Sequence, residues 1–351
     1  SGIDAPHLDA ALSSAPAFAQ RLRAEVPGYH LQVLWKKPPS DLAELQTLGA
    51  ATAKLFLSEA RAGALADEMV PDWSVLMVQF QLLDPFQHRC WKALNVDATG
   101  NGDESWTLAA GAVLRGLDQA IGELCELADR RGAGVLAVSD HGFGPCLGRI
   151  SVNRVLQDGG IIRLPSLSGK VRQAIGKGAE RVRLWSEKRD DPTARSSTFD
   201  VSLASLLPFD WSRTLAFAPH QDTAAMVYLN SADRNPSAPL KTPRQCDDAL
   251  RQIRQVLSEA RHSALDGPLF PLLVNVAEEY GIDPAREGYP DVIALPDEAY
   301  WVRTKFQAKG SWIEPDPSLP GTHRMEGIVA LCAPGVSPGR GVTAELLDVT
   351  P

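Results

Sequence analysis

Between Ser40 and Ala62, apolar side chains fall at Leu42, Leu45, Leu48 and Leu55 with small residues between them, a spacing that lines one face of an α-helix. Ser40 and Asp41 offer the oxygen acceptors that cap such a helix at its start. Val75 to Phe80 forms instead a short continuous apolar run, preceded by the turn-like PDWS and closed by an acid, which predicts a strand buried on both faces. From Trp106 to Arg131 a helical face returns at Leu114, Leu117, Ile121, Leu124 and Leu127, until Gly132 and Gly134 stop it before the apolar run Val135 to Val138. Strand, helix and strand in succession predict a βαβ unit, and with it an α/β fold whose mostly parallel sheet is flanked by helices.

Downstream, TLAFAPH, AAMVYLN, DVIALP and GIVALC read as further short strands. Arg244 to Ala260 reads as a helix with Leu250, Ile253, Val256 and Leu257 on one face. A segment of different character lies before them. Arg163 to Arg189 holds eight Lys or Arg against two acids, and the polar, turn-rich DDPTARSST follows. An exposed amphipathic helix and a mobile surface loop are expected there. The predicted organisation is a core α/β region over 1–160, a basic and polar cap or insertion over 161–210, and a return to the core sheet over 211–351.

Composition narrows the function classes. A chain of 351 residues, 44% apolar and 22% charged, is that of an ordinary soluble globular protein with a sizeable core. A net charge of -8 argues against general binding to nucleic acid or an anionic membrane. No apolar run is long enough to span a bilayer, and SGIDAPHLDA lacks the charged and apolar regions of a signal peptide. Cys90, Cys125, Cys146, Cys246 and Cys332 are far apart, odd in number and without a CxxC pair. They read as free thiols in a reducing compartment, which points to the cytoplasm.

Three short stretches carry candidate chemistry. In DPFQH, Asp84 is placed to cap a helix with Pro85 at its first position, so that His88 lies one turn on, beneath the carboxylate. In VSDHGFGP, Asp140 and His141 sit at a strand exit. Neighbouring strand residues point to opposite faces, so the pair can serve one centre only if the backbone turns, which Gly142 and Gly144 would permit, positive φ included. In GTHRMEGIVAL, His323 precedes another strand. Each alone has a plain structural reading as a cap, a turn or a loop residue. Together, two carboxylates and three imidazoles without sulfur suit Zn²⁺ or Mn²⁺, and five ligands are too many for one catalytic zinc with an open position. Two divalent ions fit better, and phosphoryl transfer is the matching reaction class. His7, His30 and His262 have no ligand-like spacing, and His220 in FAPHQD could line a cleft.

FQLLDPFQHRCW, VLAVSDHGFGP followed by SVNRVLQDGGII, and GTHRMEGIVALCAPGV resemble the alkaline phosphatase superfamily, in particular its type I phosphodiesterase and nucleotide pyrophosphatase-like branch with phosphohydrolase and phosphomutase members. WSRTLAFAP, MVYLN and YPDVIAL are similar in order and spacing, so the resemblance runs along nearly the whole chain. It implies an alkaline phosphatase-like sheet with an inserted cap, and a small-molecule phosphate ester as substrate. It implies that Asp84, His88 and His323 hold one metal and Asp140 and His141 the other, zinc with manganese as the alternative. The same resemblance implies a further aspartate and a Ser or Thr nucleophile near the start of the domain, which no position here matches; Ser139 and Thr322 flank ligands but do not correspond. The chain is therefore expected to be a core fragment with the first and last parts of its domain missing, and inactive as it stands. A phosphomutase, a sulfatase of the same superfamily and a non-catalytic module binding through the basic segment are the alternatives.

Overall fold

The computed structural model describes residues 16–27, 29, 35–94, 103–165, 208–219, 223–303, 310–337, 339, 341 and 343–349. The basic stretch expected to form an amphipathic helix and loop falls mostly outside them, as does His220. The chain forms two compact units, residues 1–146 with 317–351, and residues 147–316.

The first unit opens with α1 (Pro16–Glu25), α2 (Leu42–Met69), α3 (Leu83–Leu94) and α4 (Glu104–Arg131). The Asp41 carboxylate accepts from the Glu44 N–H, satisfying an orphan donor at the start of α2, and the Glu44 carboxylate accepts from the Ser40 N–H just ahead of the cap. Gly132 closes α4 with φ 63°, the left-handed cap its sequence predicts. Where α2 meets α4, Gly116 lies against Ala53 so closely that a side chain on it would overlap the alanine methyl. Trp35, Leu45, Phe56, Phe86 and Val113 fill the core beside that contact. The Trp35 indole donates to Thr52 Oγ1 at 2.9 Å, which removes the cost of burying its N–H.

Val75 to Phe80 does not become a ladder strand. Its backbone has no strand partner among the described residues, and its burial alternates, with Leu76, Val78 and Phe80 turned inward. Val75 and Met77 are 81% and 84% exposed. Val78 packs at Gly63 of α2, and Phe80 stands edge-on to Phe56 with ring centroids 5.8 Å apart. The apolar run suggests two buried faces; the inward-facing residues instead dock on a helix.

After α4 come β1 (Val135–Val138) and β2 (Gly142–Pro145), and the chain then enters the second unit. There β3 (Gly148–Ser151) leads into α5 (Val152–Asp158), β4 (Ala216–Phe217), β5 (Ala225–Leu229) and α6 (Pro243–Glu259). Next come β6 (Leu272–Asn275), α7 (Val276–Tyr280), α8 (Pro284–Glu287), β7 (Val292–Leu295), β8 (Tyr300–Arg303) and β9 (Ile313–Glu314). One sheet has the order β4-β5-β7-β6, and another places β3 between β8 and β9. Ile150, Leu156, Phe209, Ile253, Leu257 and Phe270 form the centre of this unit's core. Thr242 and Gln245 make a capping box at the start of α6. Arg234 pairs with buried Asp291 at 3.0 Å, and the same carboxylate accepts from the Leu229 N–H.

The chain returns to the first unit with β10 (Gly321–Arg324) and β11 (Val329–Cys332). β10 pairs antiparallel with β2, and β11 antiparallel with β1. The mixed α/β content is as predicted, but only the β3–β8 ladder among the seven formed by described residues is parallel. The expected βαβ unit is not formed among the described residues, where 75–80 joins no ladder and β1 takes an antiparallel neighbour from far along the chain. An apolar pattern specifies which face is buried; it carries no information on strand direction. All five cysteines are free. Among the described residues no helix is long and apolar enough to cross a membrane.

Candidate metal centre

Asp84 lies in the first turn of α3, which begins at Leu83, so it is not the cap residue its sequence suggests. The four-residue spacing still acts as expected: His88 Nε2 stands 3.4 Å from Asp84 Oδ1. His323 reaches the same point from β10, with Nε2 3.0 Å from Asp84 Oδ1 and 3.0 Å from His88 Nε2. Two segments 235 positions apart thus bring three donor atoms to one spot.

Second contacts fix these rings. His88 Nδ1 lies 2.9 Å from the Gly321 carbonyl oxygen and His141 Nδ1 lies 3.0 Å from that of Gly142. A carbonyl only accepts, so each Nδ1 carries the proton, and in the neutral ring each Nε2 keeps its lone pair. Burial outweighs the Gly321 contact and Asp84, and holds the His88 pKa below the ordinary histidine value, which favours that neutral ring. Burial works to raise the Asp84 carboxyl, but the hydrogen bond from His323 and the nearby imidazoles outweigh it, and the carboxyl sits below its ordinary value.

His141 and Asp140 extend the cluster. The His141 ring stacks on His323 with centroids 3.7 Å apart. Its Nε2 lies 3.8 Å from Asp84 Oδ1 and 3.7 Å from Asp140 Oδ1. Asp140 is at the rim, its side chain 81% exposed, whereas that of His88 is 13% exposed. Donor atoms of Asp84, His141 and His323 also fall within 4.8 Å of one another. Of the two trios, Asp84 with His88 and His323 is the tighter. Asp140 is the one predicted residue that stands off from the shared point.

The glycines act differently from their predicted role. Gly142 to Pro145 stays extended as β2, and no residue in it has positive φ. A side chain on Gly142 would overlap the Glu326 carbonyl, and one on Gly144 would overlap the Arg324 guanidinium. That guanidinium donates to the Pro145 carbonyl at 2.6 Å and the His323 carbonyl at 2.8 Å, tying β2 to β10. The turn between Asp140 and His141 and the close approach of β10 need bare backbone, not a left-handed conformation.

The donor set passes a simple test of size. Four ligands about 2.0–2.1 Å from a zinc ion in a tetrahedron stand about 3.3 Å from one another. The observed separations of 3.0, 3.0 and 3.4 Å among His323, His88 and Asp84 approximate one face of such a shell. Nitrogen and carboxylate donors without thiolate also suit manganese.

Ser139 and Thr322 give no attacking group at this point. The Ser139 hydroxyl accepts from the Ile328 N–H at 2.8 Å. Thr322 is 1% exposed and by strand alternation faces away from His323. Sequence reasoning overlooked Phe143, directly opposite His323 in the β2–β10 register. Its position two residues after His141 would have placed both on one face, had residues 142–145 been read as a strand.

Comparison with known proteins adds one match. The family described as "Type I phosphodiesterase / nucleotide pyrophosphatase" matches residues 9–328, a span that includes Asp84, His88, Asp140, His141 and His323. No curated protein and no solved structure matches the chain. On that span, the chain belongs to the type I phosphodiesterase/nucleotide pyrophosphatase family, within the alkaline phosphatase superfamily.

Proposed function

We propose that this protein hydrolyses phosphate diesters at a two-metal centre, with Asp84, His88 and His323 holding one divalent ion and Asp140 and His141 contributing to a second. Zinc is the ion that best suits the donors, with manganese as the alternative. The observation that carries the reading is the triangle of Asp84 Oδ1, His88 Nε2 and His323 Nε2, with edges of 3.0 to 3.4 Å. Membership of a family of phosphodiesterases and pyrophosphatases supplies the reaction class and a small-molecule phosphate ester as substrate.

When bound, such ions supply Lewis acidity toward the phosphoryl oxygens and lower the pKa of an attacking group. The rest falls to the chain. The Asp84 carboxylate, ionised at neutral pH, provides negative charge to offset the cation, and neutral His88 provides a lone pair whose direction the Gly321 carbonyl fixes. Exposed Asp140 leaves the rim open, so an ester can approach from solvent. The attacking group is a Ser or Thr that no position of this sequence matches: its oxygen attacks phosphorus, the ester oxygen leaves with its electron pair and takes up the hydroxyl proton, and water then frees the phosphoryl group.

The test is metal content after exhaustive dialysis, measured by elemental mass spectrometry on the parent chain and on His88→Ala and His323→Ala. About one tightly held zinc or manganese per chain, at the three-ligand site and lost in both variants, is the expected result, because a second ion held only by Asp140 and His141 is removed by dialysis. Equal metal content in all three proteins would remove these histidines from any metal site.

A further inference from the structure

The three imidazoles of the cluster share a neighbour that is not a ligand. Phe143 lies 4.8 Å from His88 and 5.4 Å from His323 between ring centroids, edge-to-face with both at 74° and 69°. It lies 6.0 Å from His141. Trp91 of α3 also packs on it, tilted at 30° with centroids 5.6 Å apart.

This placement follows from the chain. Phe143 is opposite His323 across the β2–β10 ladder, and His141 lies two positions before it in the chain, immediately ahead of β2. His88 and Trp91, three positions apart on α3, present neighbouring side chains to it. The fit leaves no slack at Gly321, where an added Cβ would come within 2.8 Å of Phe143 Cε1 and of Trp91 Cβ.

We propose that Phe143 is the positioning residue of the metal centre: its ring is the common surface against which His88, His141 and His323 are oriented, so that the histidines of α3 and β10 and the one just before β2 converge. The proposal rests on the metal-centre reading above. The reasoning is mechanical. The carbonyl contacts of His88 and His141 fix which nitrogen faces the ion, and the plane of each ring is set by what packs on its faces and edges. A flat ring packed edge-to-face on His88 and His323 sets their planes directly, and His141, tilted against it and stacked on His323, follows; an aliphatic side chain of similar volume has no such specific geometry. Arg324 ties the strands together through the carbonyls of Pro145 and His323.

Phe143→Leu and Phe143→Met keep an apolar side chain and remove the ring; Phe143→Tyr keeps the ring. Zinc affinity is read by competition with a chromophoric chelator, four-coordinate geometry by the visible spectrum of the Co²⁺-loaded protein, and folding by thermal unfolding of the metal-free chain. The expected result is zinc binding weakened about 10- to 100-fold in Leu and Met, the range of outer-shell changes, and recovered in Tyr to within about threefold. The Co²⁺ bands should lose intensity in Leu and Met and return in Tyr, at nearly unchanged metal-free unfolding temperatures. Should Leu fail to fold, Met and Tyr carry the same comparison. Parent-like affinity and spectrum in the ringless variants, or equal loss in Tyr, would overturn the role of Phe143 and leave the metal centre standing. A parent chain that binds neither Zn²⁺ nor Co²⁺ would overturn both.

Discussion

His323 Nε2 and Asp84 Oδ1 meet at 3.0 Å across 239 positions of sequence. An ion held there would staple α3 to β10, so its binding energy becomes stability of the first unit. At free zinc about 100 times Kd, amide exchange requiring that unit to open should slow about 100-fold. Hydrogen exchange with mass spectrometry should show this in α3 and β10, with β5 and β7 of the second unit unchanged. Asp84→Asn should abolish the response. Equal protection in both units would contradict the assignment.

Gly142 and Gly144 should differ in how much they tolerate alanine. At Gly142 the new methyl meets a backbone carbonyl, that of Glu326, which cannot swing aside; at Gly144 it meets the flexible end of Arg324. Gly142→Ala should cost about 3 kcal/mol or more and Gly144→Ala about 1 kcal/mol, measured by urea unfolding of the first unit. A smaller loss for Gly142→Ala than for Gly144→Ala would refute this account of the close approach.

Gly116 tests the α2–α4 contact. Alanine is the better helix former by about 1 kcal/mol, so intrinsic propensity alone predicts stabilisation. The overlap with Ala53 predicts the opposite sign, an overpacking loss of about 1–3 kcal/mol that exceeds the gain. Gly116→Ala should therefore destabilise, and adding Ala53→Gly should recover most of the loss in a double-mutant cycle.

Glu59 makes the first unit sensitive to pH. Burial pushes its carboxyl up to about 7, and Oε2 is enclosed without a hydrogen-bond partner. The folded value is above the unfolded one of about 4.3, so the folded state holds the proton more tightly. The associated stability is fully present below pH about 4.3 and is lost as pH rises through about 7. Because the group is only partly buried, the loss between pH 5 and 8 should be on the order of 1–2 kcal/mol. Glu59→Gln should flatten the profile in thermal unfolding across that range; an unchanged slope would exclude Glu59 as its source.

Much of this was legible in the chain. α2 and α4 follow from apolar spacing, with Asp41 and Gly132 marking ends that the structure places where their chemistry suggests. The Asp84–His88 contact follows from a spacing of four on one helix. Strand direction was not legible, because β1 and β11 meet through a long connection that leaves no local trace. The stretch after His141 was misread because glycine and proline usually mark turns; here the glycines make room for Glu326 and Arg324 beside an extended strand. His323 had no local signal of partnership with Asp84; the chemistry of the five residues together brought it into the candidate set, and the resemblance to a known family assigned it to the same ion as Asp84.

The docking of Val78 at Gly63 and Phe80 at Phe56 gives α2 a second use. Those helix positions are seven apart, two turns along one face, and they measure out the segment that ends four residues before Asp84. α2 is thus a ruler for the ligand. With no described ladder to hold the register of 75–80, two side-chain notches set how far the chain has advanced when α3 begins. A bulkier residue at Gly63 would move the reading on that ruler, and so reach the cluster from a helix that contributes no atom to it.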